Sequence, residues 1–187
     1  MTTNVNMFNE LKRFLVYLQF ERKLSKNTTE SYWLDLKFYL EYITIDLKIK
    51  NFNDIKLKHI NSYTKMISKY VYNTSVNRKL SSLKSFHKYL YINKLSIVDP
   101  SNITQSLRTD KKLPITLTVE EIDLILNSID IEKTNGIRDK SIISLLYSCG
   151  IRVSELINLH LTSLYFDDRI IRVFGKGDRK STRLNSS

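Results

Sequence analysis

The sequence predicts a mainly α protein in two parts: a four-helix bundle, then the incomplete start of a mixed α+β unit. Three observations predict it. Apolar residues recur at helical spacing in four successive segments of the first 98 residues. Both prolines, Pro100 and Pro114, bracket a single polar, basic stretch. Beyond that stretch, helical patterns give way at residues 164–174, LYFDDRIIRVF, to a run that reads as strand, turn and strand.

The first helix rests on Phe8, Leu11, Leu15 and Leu18. LSKN then breaks the pattern, and Asn27 reads as the N-cap of a second helix with Glu30 as its capping-box partner. Its stripe is Tyr32, Leu36, Tyr39, Leu40 and Ile43; a third stripe is Ile60, Tyr63, Ile67 and Tyr70. The fourth helix, started by Thr74 or Ser75, carries Val76, Leu80, Leu83, His87 and Leu90. Residues 1–98 thus form one helical domain and residues 99–114 a linker. In the second unit Thr118 and Glu121 make a capping box before Ile122, Ile125, Leu126 and Ile129. A helix from Arg138 to Ser148 follows, ended by Gly150, and then a short helix over 153–159. Asp167 and Asp168 form the turn between two strands. The sheet is expected to have only begun where the chain ends.

The chain has 187 residues, 42% of them hydrophobic, which supports a buried core and excludes a disordered chain. Its formal charge is +11, from 30 Lys and Arg against 19 Asp and Glu. That excess favours a polyanionic partner, most often nucleic acid, although a lysine-rich genome would also produce it. One cysteine, Cys149, excludes an internal disulfide and fits a reducing cytoplasm. No apolar run reaches membrane-spanning length and the N-terminus carries no signal-peptide core. The three histidines, His59, His87 and His160, lie too far apart to suggest a metal site.

Chemistry concentrates in LLYSCGIRVSEL, residues 145–156, and RVFGKG, residues 172–177. Arg152 follows a helix-ending glycine and starts the next helix, where its side chain and free backbone N–H groups can face one anion. Glu155, three residues on, can hold the guanidinium, although such a pair on a helix is usually a surface ion pair of little weight. Lys176 stands between two glycines after an apolar strand; there it can donate a proton to a leaving oxygen, or be an ordinary solvated turn lysine.

The order helix, Gly-Ile-Arg152-Val-Ser-Glu155-Leu, two strands, Gly-Lys176-Gly resembles the catalytic domain of tyrosine recombinases, most closely the Xer-type resolvases and their phage-integrase relatives. FLVYLQFERKLSKNTTESYWLDLKFYLEYI and TSVNRKLSSLKSFHKYLY look like the family's core-binding (SAM-like) helices, and DPSNITQSLRTDKKLPITLTVEEI like its linker and catalytic-domain start. The resemblance covers roughly residues 7–177 and divides the chain into a core-binding domain over 1–98, the linker, and a truncated catalytic domain over 115–177. It implies site-specific recombination: a tyrosine attacks a DNA phosphodiester, leaving a 3′-phosphotyrosyl link and a free 5′ hydroxyl. Arg152 matches the first arginine of the clamp on the non-bridging oxygens, Glu155 its acidic support, and Lys176 the lysine that protonates the leaving group. No metal or cofactor is implied, because the covalent link preserves the bond energy.

The family pattern continues with a third strand, a His-x-x-Arg motif, a further His or Trp and the nucleophilic tyrosine. None is present; the eleven tyrosines all precede Lys176, and most fall in apolar stripes. Strand cleavage by this fragment is therefore not expected, while DNA binding is. The last ten residues, DRKSTRLNSS, lack apolar alternation. Back-translated, they resemble read-through of a widely used sequencing adapter, so 178–187 are expected to be a non-native tail.

The resemblance further implies double-stranded DNA clamped from opposite sides by the two domains, a partner recombinase protomer in a tetrameric synapse, a cytoplasmic location and a role in chromosome dimer resolution. A septal DNA translocase is a further partner it raises. Expected DNA contacts are Asn27, Thr28, Ser75, Asn77, Arg78 and Lys84, with Lys111 and Lys112 following the backbone through the linker. Two rival readings stand beside this one: a phage or transposon integrase fragment, and a non-enzymatic helical DNA-binding protein.

Overall fold

Helix α1 (Thr2–Phe20) buries Met7, Leu11, Phe14 and Leu18, spaced alternately four and three residues apart so that all lie on one face. The computed structural model describes residues 2–109, 114–174 and 180–184, with side chains described over 7–109 and 114–173. It divides into two units, Met1–Lys112 and Leu113–Ser187.

In the first unit α2 (Lys26–Glu41) buries Leu36, Tyr39 and Leu40, and a π turn over Tyr42–Asp46 carries Ile43 onto the same core. Helix α3 (Leu57–Ile67) adds Ile60 and Tyr63. Helix α4 (Asn73–Ile92) adds Val76, Leu80, Leu83, Phe86, His87 and Leu90. Phe14 is the hub of an aromatic cluster, with the rings of Phe86 and Tyr89 at 5.2 and 5.1 Å and those of Tyr17 and Tyr32 at 6.2 Å. The four expected helices are present, and the stripes shift slightly. Phe14 takes the core position expected of Leu15, which is half-buried, and Tyr70 lies past the end of α3 and is exposed.

Helix starts differ more. The N-cap of α2 is Ser25, not Asn27: Ser25 is extended and its Oγ accepts the Thr28 N–H, while Asn27 is already inside the first turn. Glu30 lies 3.9 Å from Lys26 instead of closing a box. Tyr72 precedes α4 with no side-chain cap, so Thr74 and Ser75 are helical residues.

The stretch expected to be the linker is partly strapped to α4. The Asn77 amide donates to the Leu107 carbonyl (2.9 Å) and accepts the Leu107 N–H (2.8 Å). Asn73 donates to the Arg108 carbonyl, and the Lys84 ammonium to that of Thr104. A side-chain amide that reads a backbone in both directions substitutes for a strand partner, which is why this segment stays with the first unit.

In the second unit α5 (Val119–Ser128) begins with the expected capping box: Thr118 Oγ1 accepts the Glu121 N–H at 3.2 Å, and Glu121 Oε2 accepts the Thr118 N–H at 2.8 Å. None of its residues is fully buried; Ile122, Leu126 and Ile129 are half-buried and Ile125 is exposed. Helix α6 (Gly136–Cys149) starts two residues before Arg138, because glycine alone fits there; a Cβ on Gly136 would lie 1.9 Å from the Asp130 carbonyl oxygen. Gly150 ends α6 at φ +56°. Helix α7 (Val153–Ile157) follows, shorter than expected. Strand β1 (Leu164–Tyr165) pairs antiparallel with β2 (Ile170–Phe174) across the Asp167-Asp168 turn, in the register Leu164 to Ile171. A third strand, β3 (Lys180–Leu184), extends the sheet in the order β1-β2-β3, with Phe174 opposite Lys180 and Ile170 opposite Leu184. This strand lies in the run that lacked apolar alternation. A ladder is built from main-chain groups, so the open edge of β2 accepts it without a side-chain pattern. Cys149, Ile151, Ile171 and Val173 form the small core of this unit.

Candidate phosphate and nucleic-acid sites

The turn from α6 to α7 builds the environment of Arg152. Gly150 reverses the chain, and Ile151 anchors it in the small core, so that Arg152 emerges extended as the N-cap of α7. One carboxylate then holds it twice. Glu155 Oε2 accepts the Arg152 backbone N–H at 2.8 Å, and Oε1 accepts from Nη1 at 2.8 Å. The Glu155 side chain is only 5% exposed, whereas that of Arg152 is 72% exposed. The buried partner makes this more than a surface ion pair, because loss of Glu155 would remove both restraints on Arg152. The Glu155 carboxylate takes the Arg152 N–H, so that N–H is not among the groups left to face an anion. Nη1 is committed to Glu155, while the exposed guanidinium keeps its other donors, Nε and Nη2, a chemistry suited to phosphate oxygens. Lys176 lies outside the described residues, as do Lys111 and Lys112.

The first unit presents its polar residues unevenly. Asn27 is exposed on the first turn of α2, and Thr28 and Ser75 are half-buried. The Thr28 hydroxyl lies 2.9 Å from that of Ser25. Asn77 and Lys84 both bond the 104–108 backbone, Lys84 with one of its three ammonium N–H donors. Arg78 is exposed but not free: its fork is bidentate on Asp35, with Nη2 at 3.0 Å from Oδ1 and Nη1 on Oδ2. Asp35 also accepts from Lys79 Nζ at 2.9 Å and Ser82 Oγ at 3.2 Å. Sequence reasoning missed Asp35. The signal was its place between Tyr32 and Tyr39 in the apolar stripe, which puts a carboxylate on the inner face of α2.

Three further polar side chains are hydrogen-bonded within the fold. Tyr39 Oη and His87 Nε2 share a buried hydrogen bond of 2.9 Å. Burial pushes His87 down to about 4, only partly opposed by Asp99, and pushes the Tyr39 hydroxyl well up. His59 is lowered by desolvation and by Lys58 and Lys56, and its Nδ1 accepts the Lys56 N–H. Among the described residues no group of three or more His, Cys, Asp or Glu could hold a metal ion, and no helix is long and apolar enough to cross a membrane.

Two family models match the chain: the phage integrase N-terminal SAM-like domain over residues 11–94 and the phage integrase family over residues 116–185. The second match reaches into the stretch expected to be a non-native tail. The chain is 35% identical over 173 residues to the tyrosine recombinase XerD of Halalkalibacterium halodurans, covering 92% of the chain and 58% of that protein. It is 36% identical over 171 residues to the tyrosine recombinase XerD of Staphylococcus aureus strain Mu50, covering 91% of the chain and 58% of that protein. The chain thus spans less than two thirds of the curated relatives it matches. Among solved structures, a lambda integrase tetramer bound to a Holliday junction aligns with TM-score 0.74 and 16% identity, over 97% of this chain and 51% of that one. The Tn1549 transposon integrase in complex with a circular intermediate DNA aligns with TM-score 0.65 and 18% identity, over 95% and 58%. At these identities the likeness is one of fold.

Proposed function

Because the chain belongs to the phage integrase family of tyrosine recombinases, we propose that it supplies the DNA-binding unit and the first cationic half of the active site of an Xer-like site-specific recombinase. The observation that carries this is Arg152, fixed by the buried Glu155 at the matched clamp position and otherwise open to an anion.

In the proposed reaction a tyrosine oxygen bonds to phosphorus, the bond from phosphorus to the 5′ oxygen breaks, and that oxygen takes up a proton. Negative charge builds on the non-bridging oxygens as this happens, and the Arg152 fork neutralises it. Glu155 positions the arginine, and Lys176 donates the proton. The 187 residues contain no His-x-x-Arg sequence. We therefore propose that they bind duplex DNA without cleaving it, and that cleavage by the whole protein requires the second half of the clamp. The relatives named XerD support a role in chromosome dimer resolution. The fold likeness to a recombinase tetramer supports a synapse with a partner protomer. A septal DNA translocase as activator and a cytoplasmic location complete the reading. Residues 178–187 are proposed to be a non-native tail; re-sequencing the gene from an adapter-free library tests this, and finding those codons in the genome overturns it.

The test is binding and trapping on duplex DNA. With six or more phosphate contacts, affinity should fall by about 10³-fold between 50 and 200 mM salt. No covalent adduct should form. A salt-independent affinity would overturn the binding reading, and an adduct would overturn the assignment of the nucleophile to a part of the protein outside these residues.

A further inference from the structure

Asp35 is a buried carboxylate at the surface junction of α2 and α4, and four donors from α4 converge on it. Its side chain is 3% exposed, that of Arg78 is 55% exposed and that of Lys79 is 19% exposed. Both Nη atoms of Arg78, Nζ of Lys79 and Oγ of Ser82 end on its two oxygens. Lys79 also lies 5.8 Å above the ring of Phe38, itself an exposed residue of α2. The cluster holds two cations and one anion, so a positive charge remains at the surface. A guanidinium has five N–H donors in a rigid plane. With one edge of the Arg78 plane committed to Asp35, its remaining donors project outward in a fixed orientation and cost little further entropy to engage.

We propose that Asp35 is a positioning residue for DNA binding: it locks Arg78 into a preformed donor edge that engages a backbone phosphate of duplex DNA. This rests on the DNA-binding reading above and goes beyond it, since it assigns the orientation of a DNA contact to a buried acid on another helix. A carboxylate would ordinarily repel a phosphate. Here it is shielded from solvent and covered by its donors, so its effect on the duplex is exerted through the geometry of Arg78. Lys79, more deeply placed, contributes charge more than a directed contact.

A double-mutant cycle on binding to a labelled duplex tests it, with the folded fraction of each variant measured by circular dichroism and affinity expressed per folded molecule. Arg78→Ala should weaken binding on the order of tenfold and reduce the salt slope by about one phosphate. Arg78→Lys keeps the charge and loses the fork; its affinity should fall nearly as far while its salt slope stays close to that of the original chain. Asp35→Asn should weaken binding in the Arg78 background and have less than about a twofold effect in the Arg78→Ala background, the non-additivity expected of one unit. Independent effects in the cycle would overturn the proposal, as would unchanged binding by folded Arg78→Lys. That result would leave Asp35 as a staple between two helices only. If the original chain binds no duplex at all, the DNA-binding reading itself fails, a result distinct from binding that is insensitive to Arg78.

Discussion

The two units of this chain use similar helical material and reach different degrees of burial. Among the described residues, seventeen hydrophobic side chains form the core of the first unit, including Phe14, Tyr39, Tyr63 and Phe86. Four form that of the second, which leaves Leu124, Ile137, Val153, Ile157, Leu161 and Phe166 at least 60% exposed. Amphipathic pattern and helix caps suffice to define elements, whereas stability needs facing elements to bury against. Helix α5 has the better capping box of the two units and buries nothing completely; α4 has no side-chain cap and buries seven residues.

Phe14→Ala removes the hub of the aromatic cluster and should cost the first unit about 3–5 kcal/mol in urea denaturation. A loss below about 1 kcal/mol would mean that the cluster repacks freely. Acid should act on the same unit through His87. Its folded value is held at about 4 and an unfolded histidine titrates near 6.5, so the unfolded state binds the proton first. The stability that His87 contributes is therefore complete above about pH 6.5 and is lost as the pH falls toward 4, by roughly 3 kcal/mol. Urea midpoints at pH 7 and pH 5 should differ more in the original chain than in His87→Gln.

A smaller effect is expected at the strap. Asn77→Ala removes both hydrogen bonds to Leu107, and at about 1 kcal/mol each the Leu107 amide should exchange ten- to thirtyfold faster. Unchanged exchange would show that the Asn73 and Lys84 contacts hold 104–108 without Asn77. The smallest effect should come from the second unit: Leu124→Ala, on a side chain 70% exposed, should change stability by less than about 0.5 kcal/mol. A cost approaching that of Phe14→Ala would mean that the α5 face is covered in solution, and the contrast between the units would collapse.

Much of the candidate site was readable in order along the chain. Arg152, Glu155 and the helix-ending Gly150 follow from residue type and spacing, because a cap, a left-handed glycine and a side chain three residues on are local geometry. Helix starts were less readable. Serine, threonine and asparagine crowd both candidate N-termini, and only the backbone conformation distinguishes Ser25 from Asn27 as the cap. Strand β3 could not be read from side-chain alternation because main-chain groups make its ladder. Asp35 was missed because a carboxylate on an amphipathic helix is normally solvated, and its four donors come from residues more than forty positions away.

The sequence by itself determined the helical periods, the caps at Thr118 and Gly150, the order of motifs that places the chain in its family, and the positive charge. The periods and caps depend on residues a few positions apart, the charge on composition alone, and the family on the linear order of motifs. The tertiary structure decided which polar side chains remain available to a partner. Asn77 and Lys84, expected as surface contacts, each commit a donor to the backbone of 104–108. Both Nη atoms of Arg78 end on a buried acid, Asp35, and one arm of Arg152 on a buried glutamate, Glu155. Hydrogen-bonding groups are satisfied by whatever the fold brings within reach, and reach across a bundle is not encoded by spacing along the chain.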